Sequence, residues 1–315
     1  MKKQFDAKRL VPGYGLVKDI REHKVSYLMM LPFLALFTFF VIMPVGTAIF
    51  YSFTYYNIIE PPTFIGLDNF RHLLLDDEVF LIAVQNTLFF ALITGPISYI
   101  MSFMFAWLVN ELPSKVRAVA TLLFFAPSLV GSAVTFIWIY IFGGDAYSVI
   151  NGFLLRTGII QEPILFLADP RLTMPSIIVA QLWMALGTGF LVFIAGLQGV
   201  DRSLYEAGAM DGIRNRFQEL WFITLPSMKS QLLFSAVLQV SAAFAAGAIS
   251  RDLIGFPSPL YSTHTIILHM EDYGRLRFEM GYASAITVVL FLFTLGVNHV
   301  VRKSLGERHD EEGAE

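Results

Sequence analysis

Six apolar runs alternate with shorter polar segments along the 315 residues, at positions 27–53, 80–109, 116–142, 174–198, 232–249 and 280–301. Each is long enough for a helix to cross a hydrocarbon core about 30 Å thick, the longer ones with tilt or a kink. They are far too long for barrel strands, and only helices or closed barrels satisfy their own backbone polar groups in lipid. The pattern predicts an all-α membrane protein with six transmembrane helices. It divides the chain into an N-terminal arm (1–26), a membrane domain (27–301) with a long polar loop at 199–231, and a tail (302–315). Composition agrees, since 56% hydrophobic and only 15% charged residues exclude a soluble domain.

Charge sets the sidedness. The arm carries Lys2, Lys3, Lys8, Arg9, Lys18, Arg21 and Lys24 ahead of a run of span length, without a small-residue cleavage site. It therefore does not read as a cleaved signal peptide. It is either an interfacial segment, with Leu10, Val11, Leu16, Val17 and Ile20 in the lipid boundary, or a disordered basic tail. With the N-terminus inside, 16 of the 22 Lys and Arg fall on the inner side and six on the outer. Positive charge accumulates in cytoplasmic loops, so both termini and the 199–231 loop are expected there. The absence of cysteine excludes disulfides and thiolate metal sites.

The inner loop is the most structured polar segment. Ser203 followed by Glu206 fits a capping box that starts a helix, and Asp211-Gly212 offers its stop. Asn215 followed by Gln218 repeats the capping pattern for a second short helix through Glu219, Leu220 and Trp221, and Pro226 suits the first turn of the next membrane helix. The predicted shape is helix, tight turn, helix. One face carries Tyr205, Ala209 and Met210, groups able to enter a groove on another protein. From these residues alone the loop is either a docking knob or a plain connector.

Within the spans, Gly95-Pro96 and Pro127 read either as kinks that make room for a central cavity or as the ordinary prolines of membrane helices. Asn86, Gln181, Thr188, Gln239 and Asn298 are costly in lipid, so each faces a cavity or a neighbouring helix. Outside them, Asp76-Asp77-Glu78 reads as a solvated helix start favoured by the helix dipole. His264, His269, Glu271 and Asp272 cluster in the last outer loop and read as solvated or partner-contacting residues rather than a metal site. The chain has no phosphate-binding Gly-x4-Gly-Lys-Ser/Thr loop, no His-Glu-x-x-His pair and no Gly-x-Ser-x-Gly turn. Catalytic residues, a metal and a nucleic-acid partner are not expected.

The order Glu206-Ala207-x-x-x-Asp211-Gly212, then Ile223-x-Leu225-Pro226, resembles the cytoplasmic signature of binding-protein-dependent ATP-binding-cassette importer permeases. The likeness extends through Phe64-Ile65-Gly66-Leu67-Asp68-Asn69-Phe70, Asn86-Thr87, Phe124-Phe125-Ala126-Pro127-Ser128, Ile150-Asn151-Gly152 and Gly281-Tyr282-Ala283-Ser284-Ala285-Ile286. Together these are similar to the carbohydrate-uptake branch, and to the first permease of the maltose and glycerol-phosphate transporters. The resemblance implies a type I importer permease bundle in a bacterial cell membrane. It implies a second homologous permease, an ATPase dimer that binds ATP and Mg, an extracytoplasmic solute-binding protein and a carbohydrate cargo. It assigns ATPase coupling to Tyr205, Glu206, Ala207, Ala209, Met210, Asp211 and Gly212. It places cargo contacts near Gln181, Met184, Ala185 and Thr188 on the fourth span and Gln239, Ala242 and Ala243 on the fifth, with Trp183 available to cover a sugar's apolar face. Gln181 and Gln239 read equally as interhelical hydrogen-bonders.

The chain departs from the family pattern at three places. Ten residues separate Gly212 from Ile223 where the family has nine, and the extra residue rotates the downstream side chains by about 100° on a helix unless the turn absorbs it. The outer loop reads Gly255-Phe256-Pro257-Ser258-Pro259 in place of a glycine-rich turn, and the large outer domain of the maltose subunit is absent. The alternatives are a permease for another solute, such as a glycerol phosphodiester, and a multispan membrane enzyme.

Overall fold

The computed structural model describes residues 23–306. Residues 1–22 of the arm and 307–315 of the tail, with the expectations attached to them, lie outside the described residues. The lysine- and arginine-rich end of the bundle is its inner end, and the opposite end is the outer.

Four helices are long and apolar enough to cross a membrane: Lys24–Ser52, Glu78–Asn110, Pro170–Gln198 and Met280–Ser304. Two further crossings are bent pairs, Ser114–Val130 with Thr135–Ile141 (94°) and Lys229–Phe244 with Ala248–Ile254 (44°), which bring the count to six when each pair is one span. The breaks between helices fall elsewhere than at proline. The second span continues through Pro96 as one helix. The third passes Pro127 and breaks at Gly131, whose φ of +60° is a left-handed conformation open to glycine. In the fifth the bend falls at Gly247, where a Cβ would come within 2.6 Å of Ile267 Cγ2, so the missing side chain lets the bend press against the outer helix Ile266–Glu271.

The first span differs from the rest. Its Met43–Ser52 half packs on the last span, whereas Lys24–Phe37 buries no residue. The remaining spans share aromatic cores. Phe193 meets Tyr99 and Phe103 edge-on near the inner end, and Leu73, Phe80, Ile266 and Ile286 close the outer end.

Asparagines fasten the outer loops to the spans. Asn69 donates to the carbonyls of Ser52 (3.0 Å) and Thr54 (2.9 Å), closing the loop that carries the short Thr54–Tyr55 and Thr63–Phe64 hairpin. Asn151, fully buried, donates to the Gly143 and Ile164 carbonyls and accepts from the Ile164 N–H. Asn86 donates to the Tyr261 (2.8 Å) and His264 (3.0 Å) carbonyls, while Thr87 Oγ1 accepts from the Ile266 N–H. Each amide satisfies backbone groups that an irregular loop leaves unpaired.

The acidic run is not uniformly solvated. Asp76 and Glu78 are exposed, but Asp77 is 8% exposed and caps the second span by accepting from the Phe80 N–H. Its Oδ2 also accepts from the Tyr282 hydroxyl (2.7 Å) and lies 2.9 Å from His269 Nε2, and His269 Nδ1 lies 3.1 Å from His264 Nε2. This corrects the reading of both histidines as solvated, since each is 1% exposed. Glu271 and Asp272 turn away to pair with Arg251 and Arg277. Burial pushes the Asp77 carboxyl up, but the hydrogen bonds from Phe80 and Tyr282 and the neighbouring His269 outweigh it and hold it below its usual range. Burial also depresses His269, against the pull of Asp77. Burial and the adjacent His269 bring His264 down to about 4. With Asp77 ionised, the chain of acceptors leaves both imidazoles neutral, and His264 Nδ1 has no hydrogen-bond partner among the described residues.

These shifts fix the sign of the pH dependence. Unfolded His264 takes up its proton near the ordinary value of about 6.5, and the folded residue only near about 4. The unfolded chain binds more protons in that window, so stability is complete above it and lost as pH falls through it. Thermal unfolding of the purified protein should occur about 2 °C or more lower at pH near 5 than at pH near 7.5. His264→Gln should shrink the difference, and an unchanged difference in that variant contradicts the assignment.

Candidate functional site

The inner loop folds as a compact knob. Its first helix is Arg202–Met210, and Asp201, not Ser203, is the N-cap: the Asp201 carboxylate accepts from the Ser203 N–H at 3.0 Å. The expected Ser203–Glu206 box is therefore not formed, because the helix starts two residues earlier than that box requires. Glu206 is left exposed. The helix ends at Gly212, where φ of +92° demands glycine. Asn215 caps the second helix, Arg216–Glu219, accepting from the Gln218 N–H (2.8 Å), and Gln218 Oε1 accepts from the Arg214 N–H.

A π-helical turn, Leu220–Thr224, comes immediately after it. A π turn holds one residue more than an α turn, so it can accommodate an extra residue in this stretch. Ile223 returns to lie under Gly208, where a Cβ would come within 2.6 Å of Ile223 Cδ1 and 3.1 Å of Ile213 Cδ1. The Tyr205 hydroxyl lies 2.9 Å from Thr224 Oγ1, closing the same contact. Tyr205 is thus half-buried and holds the knob together. Ala207, Ala209, Met210, Asp211 and Gly212 are exposed with Glu206, and Met210 is 89% exposed.

Arg216, in the stretch where the chain departs from the family spacing, reaches Glu219 at 2.7 Å and Glu111 at 3.1 Å. Glu111 caps the inner end of the second span, so the knob is tied to the neighbouring inner turn. Both interactions raise the Arg216 guanidinium above its usual value. A cleft of about 600 Å³ opens between them, edged by Arg117, Arg202, Glu206 and Trp107.

A second cavity, about 210 Å³, lies between the second, third, fourth and fifth spans. All seven residues expected near the cargo border it: Gln181, Met184, Ala185 and Thr188 from the fourth span, and Gln239, Ala242 and Ala243 from the fifth. Thr94, Ser98 and Ser128 complete its polar wall, and no charged side chain borders it. Gln181 and Thr188 have no side-chain hydrogen bond among the described residues, so their donors and acceptors are available to a ligand. Gln239 is committed instead, accepting from Ser98 Oγ at 2.7 Å. Beside this cavity, Ala185 joins the helices Pro170–Met184 and Leu186–Gln198 of the fourth span.

Trp183 does not border this cavity. It packs edge-on to Trp138 and faces an apolar recess beside Pro127 and Leu186. Asn298 donates to Ser241 Oγ, joining the last two spans, and Asn86 serves the outer loop. Ser98 and Ser128 escaped the sequence reading because serine is unremarkable in a membrane helix. Their proximity to Gln239 and Gly187 respectively becomes visible only when the helices are packed.

Residues 96–303 match the family described as binding-protein-dependent transport system inner membrane component. The chain is 33% identical over 278 residues to the probable ABC transporter permease protein YesP of Bacillus subtilis (strain 168), covering 86% of this chain and 87% of that one. It is 27% identical over 302 residues to the sulfoquinovosyl glycerol transport system permease protein SmoG of Agrobacterium fabrum, covering 94% and 95%. Its fold matches a chain in the crystal structure of a bacterial ABC transporter involved in the import of alginate, with a TM-score of 0.74 at 24% identity over 91% of this chain and 98% of that one. The chain belongs to the binding-protein-dependent transport system inner membrane components: it is a multi-pass permease subunit of an ABC importer, and not an enzyme.

Proposed function

We propose that the chain forms half of a carbohydrate pathway and pairs with a second, homologous permease. In this reading the inner face is cytoplasmic, and both termini lie there. The knob from Tyr205 to Gly212 docks in a groove of an ATPase subunit, one of a pair that binds ATP and Mg. A solute-binding protein delivers the cargo to the outer face. The observation that carries the reading is the coexistence in one chain of a folded, exposed inner knob and an uncharged polar cavity between the spans.

The residues supply the parts such a device needs. Met210 and Ala209 offer a soft anchor and a close approach, and Glu206 an exposed charge beside them. Gly208 over Ile223 makes the knob rigid enough to carry a push into the fifth span, which begins at Lys229. Moving a two-state equilibrium from 1:99 to 99:1 requires about 5.5 kcal/mol of differential binding, which ATP-driven closure of the ATPase pair provides. In the cavity, the Gln181 amide both donates and accepts, and the Thr188 hydroxyl does the same, which suits sugar hydroxyls. The absence of charge in the wall favours a neutral part of the cargo at this half of the pathway. The carbohydrate reading is supported by the relatives named for sulfoquinovosyl glycerol and alginate.

Uptake by membrane vesicles of cells expressing the full complex tests both parts. Glu206→Lys, or Gly212→Pro at its φ of +92°, should abolish uptake and lower cargo-stimulated ATP hydrolysis while the chain still inserts. Normal uptake in both variants removes the lever. Gln181→Ala should reduce uptake about threefold to tenfold, the worth of one or two hydrogen bonds, with cargo binding by the external protein unchanged. Full uptake in Gln181→Ala together with Thr188→Val moves the cargo out of this cavity.

A further inference from the structure

The cavity ends at a hydrogen bond, and two buried hydroxyls stand behind it. Ser98 Oγ donates to Gln239 Oε1 at 2.7 Å and is also 3.1 Å from the Gly95 carbonyl. One turn further toward the inner end, Ser102 on the second span and Ser235 on the fifth are fully buried, and neither hydroxyl has a hydrogen-bond partner among the described residues. The two spans run antiparallel, so a step of four residues, about 6 Å, carries both helices to the same deeper level. The Tyr99 hydroxyl, donating to the Leu232 carbonyl at 3.4 Å, joins the same two helices at that depth.

Unpartnered hydroxyls are unusual here. A serine or threonine inside a helix commonly returns its hydroxyl to the carbonyl one turn back. Thr87, Thr94 and Ser176 do so in this bundle, at 2.7, 2.8 and 2.8 Å. A buried polar group without a partner calls for a ligand, or for a second conformation that supplies one.

Gly189 on the fourth span connects the two levels. A Cβ there would run into the Gln239 amide and would lie 3.3 Å from Ser235 Oγ, so the glycine leaves room for that amide beside Ser235. If Gln239 lets go, Ser98 keeps an acceptor in the Gly95 carbonyl, and the separation of the pair leaves Ser98 satisfied. The cavity as it stands, about 210 Å³, is below the roughly 300 Å³ at which pockets for small molecules begin.

We propose that the pathway continues past Gln239 to a second, deeper subsite for cargo hydroxyls at Ser102 and Ser235, closed in this conformation by the Ser98–Gln239 hydrogen bond. The inference rests on the cavity being the cargo pathway. Neutral hydroxyl groups are the ligand class, because each serine hydroxyl can donate to and accept from them and carries no charge itself.

The chain has no cysteine, so a single introduced cysteine is its only thiol, and labelling is read on this chain after it is separated from its partners. The complete importer in membranes would be treated with a water-soluble cationic methanethiosulfonate reagent, with and without ATP and vanadate. The variants are Ser235→Cys, Ser102→Cys, Gln181→Cys in the cavity, and Ala106→Cys one turn deeper in the core. ATP hydrolysis is checked in each, and the two serine positions give independent readings should one variant fail to assemble. The expected result is that Gln181→Cys reacts, Ala106→Cys does not, and Ser235→Cys or Ser102→Cys reacts about tenfold faster in one nucleotide state than in the other. Adding Gln239→Ala should remove that difference by making the serine positions reactive in both states. Reaction at Gln181→Cys with silence at both serine positions in every state overturns the subsite and leaves the pathway intact. Silence at Gln181→Cys as well removes the pathway itself. Equal reaction at Ala106→Cys shows general loosening of the bundle and also overturns the subsite.

Discussion

Lipid supplies no hydrogen bonds, and that constraint organises this molecule. Every crossing must be helical, and irregular backbone is tolerated only where protein covers it or where it lines a cavity. The chain keeps four crossings continuous and confines its breaks to two bent pairs. One break is a glycine with a left-handed φ, Gly131, and the other presses Gly247 against the outer helix. The same constraint makes each polar side chain inside the spans informative. Most are paired, as Gln239 is with Ser98 and Asn298 with Ser241. Gln181 and Thr188, without a side-chain hydrogen bond among the described residues, border the polar cavity between the spans, and the unpartnered Ser102 and Ser235 lie one turn deeper.

The architecture was readable because it is written in long runs. A run such as 80–109 can be little else than a crossing, and the helix found, Glu78–Asn110, extends it by a few residues. The cavity was readable for another reason. Gln181, Met184, Ala185 and Thr188 lie at spacings that repeat on one helical face, and Gln239, Ala242 and Ala243 do the same. The family resemblance identified those faces, and the packing sets them around one space. The asparagines of the family-like motifs, Asn69, Asn86 and Asn151, have a simpler physical role as fasteners of outer-loop backbone.

What escaped the sequence depends on contacts distant along the chain. Asp77 looks like one member of a solvated acidic run, and only its approach to His269 and Tyr282, 192 and 205 residues away, buries it. Trp183 sits beside cavity residues in sequence, but as their neighbour on a helix it points about 100° away from Met184 and meets Trp138. The capping box at Ser203 failed because Asp201 competes for the same helix start. A π turn was not foreseeable from composition, although the extra residue before Ile223 marked the stretch in which it occurs.

On the proposed reading these parts are the passive half of the device. The knob is folded and exposed, the cavity is polar and uncharged, and no phosphate-binding loop is present in the chain. An account built on such a half requires a motor and a second half from elsewhere. The most direct measurement is to tag the chain at its C-terminus, extract it gently from native membranes, and identify the proteins that accompany it by mass spectrometry. The account predicts an ATP-binding-cassette ATPase and a second permease of similar size in stable association. Recovery of the chain alone, or only with copies of itself, across several detergents would contradict it.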